Sequence, residues 1–373
     1  MEIVANSKHI AADIAVALDV AGREHLVVVA KSTWSIPQSG QRARPLPPQP
    51  LVQADEYVGK PGESAMLYGA DFARFKPRCD VLFNACAHSL DSIPTAELMV
   101  AWQVGSLRKG LRVLGERTWR STLGMFSIAS PKPFTRQPLH YGFAFGGTRQ
   151  YRKSQDVMLS EALLDNPSGI GWAGPKTSGD IGGQAVPNLE AVGEPISSPN
   201  GKYKPAAFSA VGRHWAPRKN YAGTYDEAWQ KNDFPFLPKD YDEQFNQCAP
   251  QDQQMDYPCG GEQVVLRNMM LGRADVRFAL PKLDGMQVRA LRNDYSSETL
   301  AAVVDTLYFE PEEQRFSAVW RVSLPIKRRL QEFNTLAIGP VNAAWWADKA
   351  AGRDGTGCAG CGPGEVEIAE ASV

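Results

Sequence analysis

The chain has 373 residues, of which 40 are Lys or Arg and 41 are Asp or Glu, so its formal net charge at pH 7 is −1. This balance excludes the large positive excess that binding to nucleic acid or to an anionic membrane surface requires. The 43% apolar and 22% charged residues are typical of a globular protein, and the 27 prolines and 33 glycines favour strands and loops over helices.

The N-terminal residues predict no export signal, because Glu2 and Asp13 interrupt the apolar residues and no basic start precedes them. No window approaches the roughly 20 apolar residues that span a bilayer. We therefore expect a cytoplasmic protein with no membrane partner and no nucleic-acid partner.

Residues 13–36 predict a β-hairpin. Apolar Ile14, Val16 and Leu18 alternate with small or acidic residues. A turn that contains Gly22 follows, and then the apolar run HLVVVAKSTWSI. Alternation of period two on both sides of a short turn is typical of paired antiparallel strands.

Further strand-like runs follow a proline-rich connection over residues 37–51. Three runs separated by short turns predict a meander over residues 79–119. Later runs predict strands between residues 262 and 292, and a second hairpin spans 300–326 around the turn PEEQ. The order of strands predicts a sheet that includes both ends of the domain.

Residues 125–260 form a long segment in which aromatic residues, prolines and glycines lie side by side. Disordered chains are poor in aromatic rings, so we expect ordered loops, and long ordered loops commonly serve binding. The best helix candidates in this segment are residues 154–165 and 224–232. In the second, Thr224 and Glu227 have the spacing of a capping box.

These patterns predict a mainly β fold, either an antiparallel sandwich or an open barrel, with a long loop-rich insertion and few short helices. We expect a single domain over residues 1–330, with the loop-rich segment 125–260 inside it. Residues 331–373 are poor in large apolar side chains towards their end and are predicted to form a mobile tail.

The cysteines do not predict a disulfide framework. Four are scattered and are expected to be reduced: Cys79, Cys86, Cys248 and Cys259. Cys358 and Cys361 form the motif CAGC in the tail, which is the spacing of a metal knuckle or a redox pair. Structural zinc usually needs two such knuckles, and only one is present, so we predict no metal and no cofactor.

No established catalytic motif is present, and we predict no catalytic residues and no enzymatic activity. Paired acids in the loop-rich segment are the best candidates for glycosidase chemistry, which needs two carboxylates across a cleft. They are Asp226 with Glu227, Asp240 with Asp242, and Asp252 with Asp256. Acids at a helix start also stabilise the helix dipole, so a structural role is favoured. His140 and His214 are interpreted as rings packed on aromatic neighbours, and the basic residues of 108–120 as a solvated strand face or a weak patch for an acidic partner.

Several multi-residue motifs carry a resemblance to a known family. They are LVVVAKSTW, LRKGLRVLGERTW, PFTRQPLHYGFAFGG, VPNLE, AGTYDEAWQKNDFPFLPKDYDEQFNQCAPQDQQ and RFSAVWRV. In this order, over about residues 8–325, the chain resembles the bacterial domain of unknown function family 2169.

The resemblance implies a role in bacterial type VI secretion. Members of the family are encoded beside PAAR-like spike proteins, VgrG proteins and toxic effectors, and are regarded as cytoplasmic adaptors or chaperones that load an effector onto the spike. The expected partners are thus an effector toxin and a PAAR-like or VgrG spike protein. The alternative is a carbohydrate-binding or carbohydrate-active protein that uses the aromatic and acidic middle segment.

Aromatic residues and Arg dominate interface hot spots, because they bury much area with few rotatable bonds. The partner-binding candidates in the loop-rich segment are Phe134, Arg136, Tyr141, Phe143, Tyr225, Trp229, Phe234, Phe236 and Tyr241. The other interpretation of each is that it anchors a loop to the sheet.

Overall fold

The computed structural model of the protein describes residues 1–5, 7–122, 125–154, 157–174 and 181–353. Strands dominate this part of the chain, which confirms the predicted mainly β fold. The helices in it are short, and the α-helices are α1 (Ala216–Lys219), α2 (Glu227–Asn232) and α3 (Ala343–Ala350). The short 3-10 helices are Leu90–Ser92, Tyr141–Phe143, Glu243–Asn246, Gln251–Gln253 and Leu330–Glu332.

The strands of the N-terminal third are β1 (Glu2–Ala5), β2 (Ala11–Leu18), β3 (Glu24–Ser35), β4 (Pro45–Leu46), β5 (Glu56–Tyr57), β6 (Met66–Tyr68), β7 (Cys79–Phe83), β8 (Cys86–His88), β9 (Glu97–Val104), β10 (Leu107–Leu114) and β11 (Arg117–Thr122). Those of the middle are β12 (Met125–Ile128), β13 (Arg136–Pro138), β14 (Phe145–Gly146), β15 (Thr148–Ser154), β16 (Val157–Ala162), β17 (Ile170–Gly171), β18 (Ala185–Val186), β19 (Leu189–Ala191) and β20 (Gln254–Met255). The last are β21 (Gln263–Met270), β22 (Arg273–Ala279), β23 (Gln287–Arg292), β24 (Ser297–Ala301), β25 (Val303–Glu310), β26 (Arg315–Pro325) and β27 (Phe333–Ile338).

The largest sheet has seven strands and contains both predicted hairpins. Hairpin β2–β3 pairs with hairpin β25–β26 through an antiparallel ladder between β3 and β26. β7 pairs in parallel with β25, so the predicted meander is wrong at its first strand. Every residue of β7 is buried, as expected for a strand covered on both faces. β9 and β10 form a hairpin in another sheet.

A five-stranded sheet, ordered β19-β10-β9-β21-β22, packs against the seven-stranded sheet. The Phe83 ring on β7 lies 5.1 Å from that of Trp102 on β9, and the Phe278 ring on β22 lies 5.4 Å from that of Phe316 on β26. Side chains of both sheets belong to one buried hydrophobic cluster. This arrangement matches the predicted sandwich, and within the described ranges no sheet closes into a barrel.

The loop-rich middle contains small sheets that the sequence did not predict. Residues predicted as a helix over 154–165 include β16, which pairs with β15 in an antiparallel ribbon. The helix prediction was wrong because the apolar residues Leu159, Ala162 and Leu163, which have helical spacing, are equally compatible with a strand and the turn that follows it. Leu163 packs in a satellite core with Trp119 and Phe145, away from the main cluster.

The segment predicted to be a mobile tail, residues 331–373, begins with residues that belong to the fold. β27, at residues 333–338, pairs in parallel with β1 and antiparallel with β23, and helix α3 follows it. Phe333 and Leu336 are buried in the main core, which explains why this segment is part of the fold. Cys358 and Cys361 lie outside the described residues.

A buried carboxylate on β7 holds the end of the loop-rich segment against the seven-stranded sheet. Asp80 is fully buried and accepts a hydrogen bond from Lys76 Nζ at 2.9 Å. Its oxygens also accept from Gln247 Nε2 at 2.6 Å and from the backbone N–H groups of Cys248 at 2.8 Å and Ala249 at 3.1 Å. One side chain thus satisfies four donors from two segments.

We expect Asp80→Ala to lower the free energy of unfolding by about 3 to 5 kcal/mol, because it leaves the Lys76 ammonium buried without its counter-ion. The matched control is Asp256→Ala, which removes a carboxylate that is 95% exposed and pairs with Arg78 at 3.1 Å. That substitution should cost less than about 1 kcal/mol. Urea denaturation of both variants measures the difference, and equal losses would contradict the assigned role of Asp80.

Candidate interaction surface

Helix α2 organises the most exposed aromatic residues of the loop-rich segment. Its N-cap is Asp226, whose Oδ1 accepts from the backbone N–H of Trp229 at 2.8 Å. The helix was therefore predicted correctly, but its cap was not. The proposed cap, Thr224, instead donates from its hydroxyl to Asp240 at 2.7 Å and closes the base of the loop.

Three exposed rings lie around the half-buried ring of Trp229, and we call the four residues the aromatic patch: Tyr225, Trp229, Phe234 and Phe236. The Trp229 ring lies 4.7 Å from that of Tyr225 and 5.6 Å from that of Phe234, in both cases edge to face. Its indole N–H donates to the carbonyl of Phe236 at 2.9 Å. Tyr225, Phe234 and Phe236 are 55%, 66% and 45% exposed, so the patch presents apolar surface to solvent.

The aromatic patch is fixed to the large sheet through the turn of hairpin β2–β3. A Cβ atom at Gly22 would lie 2.8 Å from Phe236 Cδ1, so the ring packs directly on the glycine backbone. Gly22 also has a φ of +75°, which a residue with a side chain adopts only with strain. The turn therefore needs glycine for its backbone conformation and for its contact with Phe236.

Three of the predicted partner-binding residues pack against the rest of the fold. Tyr141 is 3% exposed and packs edge to face on Trp215 at 5.4 Å, because its 3-10 helix faces the core. Phe134 and Phe143 are half-buried and pack on the main hydrophobic cluster. For these rings the interpretation as loop anchors describes the observed contacts.

Arg136 is exposed but already has a partner within the chain. Its guanidinium donates twice to Glu312, at 2.7 and 2.9 Å, and His88 Nε2 lies 3.0 Å from the same carboxylate. The hydrogen bonds from Arg136 lower the pKa of Glu312 to about 2. Arg136 therefore ties β13 to the turn of hairpin β25–β26.

Tyr241 is half-buried and packs edge to face on Phe245 at 6.0 Å. Arg213 and Arg218 lie over the Phe245 ring at 5.8 and 5.6 Å from its centroid. Burial raises the pKa of Tyr241 to about 12. Its contacts anchor the C-terminal end of the loop that carries the aromatic patch.

Most of the paired acids have structural partners. Asp226 and Asp242 cap α2 and the 3-10 helix Glu243–Asn246, while Asp240 accepts from Thr224. Asp252 pairs with Lys109 at 3.0 Å, and Asp256 pairs with Arg78. None of the six paired acids lines the cavity that lies on the seven-stranded sheet.

A cavity of about 250 Å³ lies on the outer face of the seven-stranded sheet. Its charged lining was not predicted from the sequence, although Lys31 interrupts an apolar strand and is the one local signal of it. Lys31 forms an ion pair with Asp71. Glu310 accepts from Tyr68 Oη at 2.7 Å and pairs with Arg315 at 2.8 Å. These charges are neutralised by one another.

Some of the basic residues in 108–120 form ion pairs with acidic residues of the same chain. Arg112 donates to Glu97 at 2.6 Å and to Glu190 at 3.2 Å, and Arg117 binds the same buried Glu190. Burial lowers the pKa of Lys109 to about 8. These residues therefore connect β9, β10 and β19 instead of forming only a solvated face.

Among the described residues, no group of three or more His, Cys, Asp or Glu side chains is arranged to hold a metal ion. The four cysteines in this part of the chain are free, as predicted, and Cys79, Cys86 and Cys248 are buried. No helix in the described ranges is both long and apolar enough to cross a membrane.

His140 and His214 pack on aromatic neighbours, as the sequence predicts. The His140 ring lies 4.9 Å from that of Phe143, and its Nδ1 accepts from the backbone N–H of Gly142 at 3.2 Å. The Trp215 indole N–H donates to His214 Nε2 at 3.1 Å. Burial lowers the pKa of His140 to about 4.

Comparison with known proteins gives one family. The family model described as an uncharacterized protein conserved in bacteria (DUF2169) matches residues 21–321. No curated protein and no solved structure matches the chain.

We expect the wild-type protein to lose about 2 to 3 kcal/mol relative to His140→Asn as the pH falls from about 7 to 4. In this window the unfolded state binds a proton at His140 that the folded state does not, so the free energy of unfolding decreases as the pH is lowered. Asn keeps the oxygen acceptor for Gly142 but does not titrate. Urea denaturation across the pH range tests this, and parallel curves for the two proteins would contradict it.

Proposed function

The chain belongs to the bacterial DUF2169 family, and from this premise we propose that it is a non-enzymatic adaptor that binds another polypeptide through the aromatic patch. In this proposal the partner is a type VI secretion effector, and the adaptor helps to load it onto a PAAR-like or VgrG spike protein in the bacterial cytoplasm. The family resemblance supplies the identity of the partners. The aromatic patch is the observation that supports binding.

The patch has the features of a protein-binding hot spot. Aromatic side chains bury a large area with few rotatable bonds, so little conformational entropy is lost on binding. The Trp229 ring is held by two edge-to-face contacts and a hydrogen bond to Phe236, so it is preorganised. Exposed Phe234 is free to enter a pocket on a partner.

A carbohydrate-active role has less support from the same residues. Two of the paired acids beside the patch, Asp226 and Asp240, accept hydrogen bonds from Trp229 and Thr224 that hold the loop together. Their use as a general acid and base would require breaking those contacts. A glycan array, with no binding expected, tests this alternative directly.

We expect Phe234→Ala to weaken binding to the effector or PAAR-like protein encoded beside this chain by at least tenfold, or about 1.4 kcal/mol. The matched control is Leu271→Ala, because Leu271 is 67% exposed, against 66% for Phe234, but lies in the turn between β21 and β22. Both variants should keep the wild-type melting temperature.

Co-expression and affinity measurement on the full chain provide the test. Loss of binding only in Phe234→Ala supports the aromatic patch as the interface. Equal binding by both variants places the interface elsewhere, and failure of the wild-type protein to bind either neighbour contradicts the adaptor proposal itself.

A further inference from the structure

β2 lies at an edge of the seven-stranded sheet, with β3 on one side only. It has eight residues, which makes it the longest edge strand in the described part of the chain. Its only charged residue is Asp13, and it contains no Lys, Arg or Pro. Edge strands usually carry such residues, because their unpaired backbone groups otherwise recruit another strand.

The hydrogen-bond register shows which residues of β2 face outward. The backbone N–H of Asp19 donates to the carbonyl of Arg23 at 3.0 Å, so these two residues form a hydrogen-bonded pair. In an antiparallel ladder every second pair is of this kind, which makes Ala15 and Val27 a hydrogen-bonded pair as well. The backbone N–H of Ile326, which follows β26, donates to the carbonyl of Glu24. The main-chain groups of Glu24 therefore face away from β2, as this alternation requires. The outward main-chain groups are therefore those of the residues between: Ala12, Ile14, Val16 and Leu18.

Most of these outward groups have no partner. Among the described residues, no hydrogen bond reaches the outward N–H or carbonyl groups of Ala12, Val16 or Leu18. The N–H of Ile14 is bonded to Asp13 Oδ1 at 2.8 Å. The edge thus offers a row of donors and acceptors at the spacing of a strand.

The other long edge of the paired sheets is covered. β22 is seven residues long, and the N–H of Arg277 donates to Ser39 Oγ at 3.1 Å. The carbonyl of Arg277 accepts from the backbone N–H of Gly40 at 3.2 Å. The loop at residues 39–40 therefore blocks β22, while no segment of the described ranges does so at β2.

We propose that the outer edge of β2 receives an extended segment of the partner protein as an added antiparallel or parallel strand. This inference rests on the proposed adaptor function and gives it a second contact surface. Main-chain hydrogen bonds would supply affinity, and alternate side chains would supply specificity.

The chemistry of β2 defines the segment that fits. Ile14 packs on the main core and Val16, on the same face, is 45% exposed, so the added strand needs apolar residues on that face. Asp13 lies on the opposite face, where a Lys or Arg of the added strand would meet an opposite charge. The occupant is a strand of alternating apolar and polar residues with a basic residue beside Asp13.

Two features favour a partner over a second copy of this chain. Phe236 packs on Gly22 at the tip of the β2–β3 hairpin, so the edge continues into the aromatic patch and one partner can contact both. Two copies of β2 would bring two Asp13 carboxylates and no basic residue into the same ladder. A basic segment removes that repulsion.

Residue-resolved amide exchange on the full chain, alone and co-expressed with its neighbouring PAAR-like protein or effector, tests the proposal. In the complex, the amides of Ala12, Val16 and Leu18 should exchange at least tenfold more slowly. The amides of Asp13, Ala15 and Ala17, which face β3, should be slow in both states. This alternation is specific to strand addition.

A variant pair supplies the second measurement. Val16→Pro removes an outward N–H that has no partner in the described part of the chain, so edge pairing should be lost while the fold is kept. Val16→Thr keeps the N–H and a β-branched side chain. We expect at least tenfold weaker partner binding for Val16→Pro than for Val16→Thr, with melting temperatures compared as the check on folding.

Each outcome decides between the possibilities. Partner binding without the alternating protection, or equal binding by folded Val16 variants, overturns strand addition but leaves the adaptor function standing. Protection that appears in the protein alone and rises with its concentration shows that a second copy occupies the edge and overturns the partner assignment. Absence of any wild-type complex overturns both proposals. If Val16→Pro does not fold, the exchange pattern of the wild-type complex decides.

Discussion

The buried carboxylate of Asp80 is the contact on which the position of the loop-rich segment depends. It lies on the buried strand β7 and accepts hydrogen bonds from the Lys76 ammonium and from three donors of residues 247–249. An unpaired charge at this depth would be costly, so the donors and the carboxylate require one another. A sheet with apolar faces alone would not specify where such a long connection returns. Here a polar contact fixes its C-terminal end, and β20 then pairs with β7.

From this fixed point the loop extends to the aromatic patch without a long regular element. Tyr241 and Phe245 pack on each other in the segment that leads back from the patch. Thr224 and Asp240 close the base of the loop, and Phe236 packs on the hairpin turn at Gly22. The patch is therefore supported on one side by Thr224, Asp240, Tyr241 and Phe245, which lie outside it, and on the other by the contact of its own member Phe236 with Gly22. The rings that anchor the loops and the rings that are exposed are different members of the same aromatic segment, which is why composition alone could not separate them.

Local patterns predicted the local parts of this fold. The two hairpins follow from alternation and turn residues, and α2 follows from acids at its start, although Asp226 and not Thr224 is the cap. The helix predicted at 154–165 failed because a partner strand, β15, decided the conformation. Tyr141 and Trp229 are equally aromatic in sequence, yet one is buried and the other lies in the exposed patch. That difference, like the Asp80 contacts and the bare edge of β2, depends on residues far apart in the chain and has no local signature.

The ladder between β3 and β26 also has a consequence for how the chain is made. Thr33 and Ser317, which share a hydrogen bond across it, are separated by 284 positions. At about 5 to 20 residues per second, translation needs roughly 15 to 60 s to supply the second strand after the first. During that interval the valine-rich strand β3 emerges from the ribosome with one side unpaired, and pairings of this range form slowly even in a finished chain. While it is being synthesised, this proposed adaptor therefore exposes an unpaired strand that can associate with other chains before β26 is available.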